Sequence, residues 1–296
     1  MYNKLTTGLG PTWLLILAFL IVSLLSLPAC NQADDLSGSS LKAAIIDQLY
    51  SLQPNEAAIQ QMTRELEGYG FEVDVYQGDE VTVDFYGELP GYGYDLIIFR
   101  AHSGLLKRDG ETIEKTCLFT DEPYSETRHI TQQLTEQLAM ARISEHYPWV
   151  FAIGSKFVTQ SMDGEFDNTV IIMMGCSCLY LDDLATAFID KGASTYLGWD
   201  ASVSLDYVDK ATPILVTNLC AKQMTIRRAV DETMAEVGAD PDYGACLNYY
   251  PATSGSQTVK ELISGMTPTE IATSFYQRTR NDKEGGERGA LVQIDR

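Results

Sequence analysis

Basic residues are scarce in this chain, and their scarcity argues against one class of partner. Of its 296 residues, 21 are Lys or Arg and 41 are Asp or Glu, which gives a formal net charge of −20 at pH 7. A surface of this sign repels phosphate backbones, so the sequence predicts no nucleic-acid partner. Charge balance otherwise reports on solubility, although an acidic surface would also attract cationic peptides.

Cysteine and histidine are also few, which limits the chemistry that the chain can support. There are six cysteines and three histidines. The closely spaced pair is Cys176 and Cys178, and two sulfurs alone do not complete a zinc site. We therefore expect no metal or organic cofactor, with metal or redox use of this pair as a lesser alternative. The sequence leaves open which of Cys117, Cys178, Cys220 and Cys246 form disulfides.

A long apolar run occurs only near the amino terminus. The segment from Trp13 to Leu27 is almost wholly apolar, which is typical of a secretory signal. It ends in Leu27-Pro28-Ala29-Cys30, which resembles the bacterial lipobox, whose cysteine is lipidated. An uncleaved membrane anchor is the alternative, because the run nearly reaches the ~20 residues that span a bilayer. In both cases we expect an extracytoplasmic protein that is tethered to a membrane, through a lipid on Cys30 or through the anchor.

The rest of the chain alternates between strand patterns and helix patterns. Strands are expected at 43–47, 71–76, 81–85, 96–101, 149–153 with 156–160 as a hairpin, 170–174, 194–199 and 245–249. Helices are expected at 55–68, 130–143, 181–191, 207–237 in two pieces, and 267–279. Strand–helix–strand order implies crossover connections, so the sequence predicts an α/β fold with a mainly parallel central sheet flanked by helices on both faces.

These patterns give an expected organisation of four parts. They are a lipoprotein-type signal peptide or anchor at 1–29, a tether at 30–41, an α/β domain at 42–252, and a carboxyl-terminal helix with a polar tail at 253–296.

Two of the expected strands end at a reactive side chain. Leu96 to Ala101 leads into His102, and Val170 to Gly175 leads into Cys176. The carboxyl ends of parallel strands meet at one edge of a sheet, where chemistry collects in open α/β folds. A histidine beside a thiol can take its proton and later protonate a leaving amine. The sequence therefore predicts Cys176 as a nucleophile with His102 as its base.

The order and spacing of these motifs resemble the caspase and hemoglobinase-type cysteine peptidases, most of all their gingipain-like and CHAT-domain branches. In those families one strand ends in a histidine–glycine pair, and another ends in a small residue before the catalytic cysteine. The likeness runs from about Ala43 to Trp199. It implies a caspase-hemoglobinase-like fold and a cysteine endopeptidase that cleaves peptide or protein substrates through an acyl-enzyme at Cys176.

The resemblance also implies supporting roles at the same sheet edge. Asp47, at the end of the first strand, would orient His102, with a solvated turn aspartate as the equal alternative. The backbone around Ser103, Gly104 and Gly175 would hold the oxyanion. Here Ser103 stands where the family usually has glycine directly after the histidine.

The strand after the cysteine helix ends in Trp199 and Asp200, where the family builds its specificity pocket. An aromatic wall with a carboxylate would suit a lysine or arginine side chain of the substrate. An interface tryptophan beside a turn aspartate is the alternative. Lys156 and Arg100 would instead favour an acidic residue.

Two other functions stay open on the sequence. One is a catalytically silent peptidase-like domain that acts as an envelope binding or scaffold lipoprotein, which the inserted Ser103 favours. The other is a thiol-redox lipoprotein that uses Cys176 together with Cys178.

Overall fold

The computed structural model describes residues 40–108 and 111–265. The strands are β1 (Leu41–Asp47), β2 (Phe71–Gln77), β3 (Leu96–Arg100), β4 (Ser103–Arg108), β5 (Glu111–Pro123), β6 (Leu138–Ala141), β7 (Val150–Gly154), β8 (Val170–Met173), β9 (Thr195–Trp199) and β10 (Leu247–Tyr250). The helices are α1 (Glu56–Tyr69), α2 (Val83–Glu88), α3 (Ile130–Leu134), α4 (Ser155–Ser161), α5 (Asp183–Asp190), α6 (Leu205–Val216), α7 (Ile226–Val237) and α8 (Val259–Ile263). The expected signal segment with Cys30 and the expected helix at 267–279 lie outside the described residues.

Six strands form the central sheet in the order β2-β1-β3-β8-β9-β10. Five of them run parallel, and β10 pairs antiparallel with β9 at one edge. Strands β3 and β8 are apolar almost throughout and fully buried, as expected for the middle of a sheet covered on both faces. The predicted α/β class with a mainly parallel sheet is confirmed.

Helices cover both faces of this sheet. The chain steps in one direction from β1 to β2 and in the opposite direction from β8 to β9. Because parallel crossovers are right-handed, the connecting helices α1 and α5 lie on opposite faces. Helix α6 packs beside α1, and α4 packs beside α5, which completes the two layers.

The segment between β3 and β8 forms a second, antiparallel sheet in the order β4-β5-β7-β6. Several sequence predictions in and beside this region were wrong. The helix expected at 130–143 stops at Leu134, and β6 follows because it pairs along β7. Residues 155–161 form helix α4 and not the second strand of a hairpin.

The edge strand expected at 81–85 is helical instead. The Thr82 side chain accepts a hydrogen bond from the Phe85 N–H (3.1 Å) and caps helix α2. Val83, Phe85 and Tyr86 are all buried on this short helix, so the apolar alternation was misread as a strand. Among the helices of residues 40–108 and 111–265, none combines the length and apolar character needed to cross a bilayer.

Candidate functional site

The register of the central sheet brings the two predicted catalytic residues to the same level. Phe99 of β3 is paired with Met173 of β8, and the Met174 N–H donates to the Phe99 carbonyl (2.9 Å). His102 and Cys176 each come three residues after that pair. The adjacent carboxyl ends of β3 and β8 therefore deliver both side chains to one edge of the sheet, as the sequence predicts.

A cavity of about 1100 Å³ lies at this edge, between the central sheet and the second sheet. His102 and Cys176 both line it. The second sheet contributes Leu106, Lys107, Cys117, Phe119 and Met140, and the loop between β6 and β7 contributes Arg142 and Trp149. The loop between β9 and α6 contributes Val203 and Ser204. The cavity is large enough for several residues of a peptide.

Cys176 is a partly exposed thiol in the turn that follows β8. Its Sγ donates to the Val203 carbonyl (3.4 Å) and accepts from the Val203 N–H (3.5 Å). Burial raises the pKa of Cys176; the Val203 N–H opposes this shift, and the charge of Asp240 adds to it. The resting side chain is therefore a protonated thiol and not a thiolate.

His102 is partly buried against the second sheet. Its backbone N–H donates to Gln48 Oε1 (3.0 Å), and its ring lies 5.9 Å from the Phe119 ring. Burial, with a smaller effect of the positive charge of Arg100, lowers the pKa of His102 to about 4. The imidazole is therefore neutral at neutral pH and able to accept a proton.

Ser103 and Gly175 fit each other across the two strand ends. The Ser103 hydroxyl donates to the Cys176 carbonyl (2.6 Å) and so ties the histidine motif to the cysteine motif. A Cβ atom on Gly175 would clash with Ser103 Oγ and would lie 2.7 Å from the Ala101 carbonyl oxygen. Any other residue at position 175 would force its neighbours to move. The hydroxyl of Ser103 occupies the space where a Cβ atom would lie.

Two backbone N–H groups at this edge have no strand partner. The Phe119 N–H donates to the His102 carbonyl, so the next residue, Ser103, turns its own N–H away from β5. Within the described residues, no acceptor takes the N–H of Cys176. Gly104 lies inside β4 with open space around its Cα, so neither a special backbone conformation nor crowding requires a glycine there.

Cys178 is fully buried and held by the main chain. Its Sγ donates to the Gly175 carbonyl (2.8 Å) and accepts from the Trp199 N–H (3.4 Å). Burial raises the pKa of Cys178 to about 12. All five cysteines of the described chain are free thiols. These contacts hold Cys178 in the core, and it does not line the cavity.

Asp47 makes its contacts with Arg100 and not with the imidazole of His102. Arg100 Nη1 lies 2.7 Å from Asp47 Oδ1, and the same guanidinium binds both carboxylate oxygens of Asp209 on α6 at 2.7 Å. Both residues of the Asp47–Arg100 pair are fully buried. The charge of Arg100 acts on His102, and Gln48 contacts the histidine directly through the backbone N–H of His102.

Trp199 and Asp200 lie outside the cavity lining, which differs from the sequence expectation. Trp199 is buried, and its ring packs edge-on against Tyr207 at 5.3 Å. The Asp200 carboxylate accepts from the Cys246 N–H (2.7 Å) and from Asn248 Nδ2 (3.2 Å), which fixes the start of β10. The alternative from the sequence is an interface tryptophan beside a turn aspartate; Trp199 is buried in the core, and Asp200 lies in the turn after β9.

The loop that holds the thiol was not found from the sequence. Asp240 accepts hydrogen bonds from the N–H (3.0 Å) and the hydroxyl (2.5 Å) of Ser204, and from the N–H groups of Asp242 and Tyr243. Burial alone would raise the pKa of Asp240, but these hydrogen bonds lower it. Asp240 thereby fixes the loop next to Val203. Ser204 and Asp240 are 36 residues apart in the sequence, so no local pattern predicts this contact.

Comparisons with known proteins show similarity to solved structures but not to a family model or a curated protein. No family model matches the chain, and no curated protein matches it. Among solved structures, it is similar to the crystal structure of the Arg-specific cysteine proteinase gingipain R, with a TM-score of 0.39 and 13% sequence identity. The match covers 67% of this chain and 42% of that chain, which is less than half of the longer protein. At this level the likeness gives no information on activity.

Proposed function

We propose that the chain is a cysteine peptidase in which Cys176 is the nucleophile and His102 is the general base and acid. The observation that carries the proposal is the register of β3 and β8, which brings both side chains to one cavity wall. The spacing of the two motifs and the family resemblance that they carry support the same reaction.

The proposed reaction begins from a neutral pair. The peptide enters the cavity, His102 takes the proton of the thiol, and Sγ of Cys176 attacks the scissile carbonyl carbon. His102 then gives this proton to the leaving amine, and a thioester remains on Cys176. Water, deprotonated by His102, hydrolyses the thioester and restores the thiol. The lowered pKa of His102 keeps the imidazole in its proton-accepting form.

The backbone supplies the anion-binding groups in this scheme. The N–H of Cys176 and the N–H of Ser103 are the donors proposed for the oxyanion that forms on the carbonyl oxygen. Ser103 replaces the glycine of the family pattern without loss of a backbone donor. Its hydroxyl, bound to the Cys176 carbonyl, holds the two donors in a fixed relation.

We further propose that the enzyme is tethered to a membrane on the extracytoplasmic side. The support for this is the apolar segment that ends in Leu27-Pro28-Ala29-Cys30, which lies outside the described residues. Its substrates would then be peptides or proteins of the cell envelope or its surroundings.

Labelling with peptidyl electrophiles tests the catalytic proposal. A panel of peptidyl acyloxymethyl ketones should modify one thiol of the full chain at pH 7.5, and peptide mapping by mass spectrometry should locate it at Cys176. Cys176→Ala should abolish the labelling. His102→Gln should slow it by about 100-fold or more, the usual effect of removing a general base.

Cys117 provides a matched control, because its thiol lines the same cavity. Burial and the charge of Asp183 raise the pKa of Cys117 to about 12, so this thiol is a poor nucleophile. Cys117→Ala should therefore keep the wild-type rate. Labelling that persists in Cys176→Ala would contradict the proposal.

A catalytically silent binding protein is the second candidate, and one observation favours it. Within the described residues, no hydrogen bond joins the His102 imidazole to the Cys176 thiol, whose proton is held by Val203. For such a protein, the electrophiles should label Cys176 no faster than an exposed thiol, and His102→Gln should change nothing. Binding of the same peptide without its electrophile would then identify the cavity as a recognition site.

A further inference from the structure

We propose that the cavity selects peptides that carry an aspartate or glutamate side chain close to the bond under attack, with Arg142 as the main specificity residue. This inference rests on the proposed function of the same cavity. It assigns a substrate class opposite in charge to the one that Trp199 and Asp200 suggested in the sequence.

The first observation is the charge of the cavity wall. Acidic residues outnumber basic ones by 41 to 21 in the whole chain. Within the described residues, none of those that line the cavity is Asp or Glu, whereas Lys107 and Arg142 both line it. The wall is thus a positive region on a strongly negative protein, and it would attract a carboxylate and repel a cationic side chain.

The second observation is the way in which Arg142 is held. Its guanidinium lies over the ring of Trp149, with the central carbon 4.2 Å from the ring centroid, and both residues line the cavity. A guanidinium that stacks by its face keeps its N–H groups directed outward in the plane. These N–H groups fit the two oxygens of a carboxylate, and the stacking fixes their position before the substrate arrives.

The third observation is that these two cations are not already neutralised. Neither Lys107 nor Arg142 forms an ion pair with a carboxylate of the described chain. By contrast, Arg100 is buried between two aspartates, and Lys156 pairs with Glu136 at 3.4 Å outside the main cavity. The two cations that the sequence suggested for an acidic substrate are therefore engaged elsewhere.

Acidic groups around the cavity do not cancel this charge pattern at the wall. The Asp240 carboxylate is buried behind Ser204 and accepts four hydrogen bonds, and the Asp183 carboxylate accepts from the N–H of Thr116. Both carboxylates face protein donors. Glu136 lines the adjoining pocket together with Lys107 and pairs there with Lys115 and Lys156. Arg142 does not line that pocket, so Arg142 is the main cation for a substrate in the cavity.

Three otherwise identical peptidyl acyloxymethyl ketones test the inference on the full chain, with Glu, Gln or Lys next to the electrophile. The Glu probe should label Cys176 about tenfold faster than its uncharged isostere Gln, and the Lys probe should be slowest. Arg142→Gln should bring the Glu-to-Gln ratio close to one. Arg142→Lys should keep part of the preference, because the charge remains. Raising the salt concentration should reduce the ratio as well.

Arg64→Gln is the matched control, since Arg64 is exposed on α1 and does not line the cavity. It should leave all three rates unchanged. Faster labelling by the Lys probe, or a Glu-to-Gln ratio unaffected by Arg142→Gln, would overturn the inference while the peptidase proposal stands. Absence of labelling with every probe would instead overturn the proposed function itself, and the acidic preference with it.

Discussion

At Cys176 and His102, burial has opposite effects on the two pKa values but the same effect on charge. It raises the pKa of Cys176 and lowers that of His102, so both side chains are neutral at pH 7. Such a neutral site differs from one in which the resting cysteine and histidine form a thiolate–imidazolium ion pair. Its thiol should react slowly with small alkylating reagents and faster with peptides that fill the cavity.

The titration of His102 is a direct test at the residue scale. Burial and the charge of Arg100 lower its pKa to about 4, so at about pH 5 His102 should still be neutral. A histidine with an ordinary pKa near 6.5 would by then be mostly protonated. With three histidines in the chain, NMR of the imidazole Cε1–H groups should resolve each titration, and His102→Gln should identify the signal.

The same shift predicts a dependence of stability on pH. The unfolded chain binds a proton at His102 near pH 6.5 and the folded chain near pH 4, so stability falls as the pH drops through this interval. The loss should reach at most about 3.4 kcal/mol, at 1.36 kcal/mol per pH unit over about 2.5 units. Urea unfolding should show a steeper fall for the wild type than for His102→Gln. Equal pH profiles would contradict the assignment.

At the scale of elements, one buried guanidinium joins two strands and a helix. Asp47 ends β1, Arg100 ends β3, and Asp209 lies on α6, 109 residues from the arginine. Arg100 also donates to the Gln53 carbonyl (2.8 Å), in the turn before α1. The network therefore fixes the strand end from which His102 projects.

Asp209→Asn should be strongly destabilising, by about 3 kcal/mol, because it leaves Arg100 with one carboxylate in a buried position. The free energy of unfolding from urea titration measures this loss. Asp206→Asn is the matched control on the same helix. Asp206 is exposed and accepts one hydrogen bond, from Gln53 (2.8 Å), so its removal should cost within about 0.5 kcal/mol. Similar losses for both variants would contradict the role given to the buried pair.

The elements also differ in how well local patterns predicted them. β3 and β8 were predicted because strands buried on both faces are apolar throughout. The segment from Ile130 to Ile143 was read as one helix, but residue 136 adopts a positive φ of 57° and β6 pairs with β7. An edge strand gains its stability from a partner elsewhere in the chain, so periodicity alone did not reveal it.

On the scale of the whole molecule, the proposed membrane tether rests on the sequence alone, because Cys30 lies outside the described residues. If Cys30 is lipidated, the chain expressed in a bacterial host should take up labelled palmitate and enter the membrane fraction. Cys30→Ala should lose the palmitate label, whereas Cys246→Ala should keep it. A wild-type chain that enters the membrane fraction without palmitate would favour the uncleaved anchor.

The sequence by itself determined the central sheet and the pair at its edge. Apolar runs of strand length mark β3 and β8, and the residues that follow each run must lie beyond the same sheet edge in a parallel arrangement. The tertiary structure alone decided what surrounds that pair. The partners of Asp47, the loop that holds Cys176, and the placement of Arg142 over Trp149 in the cavity wall depend on how separate elements pack, which no local repeat of residue types records.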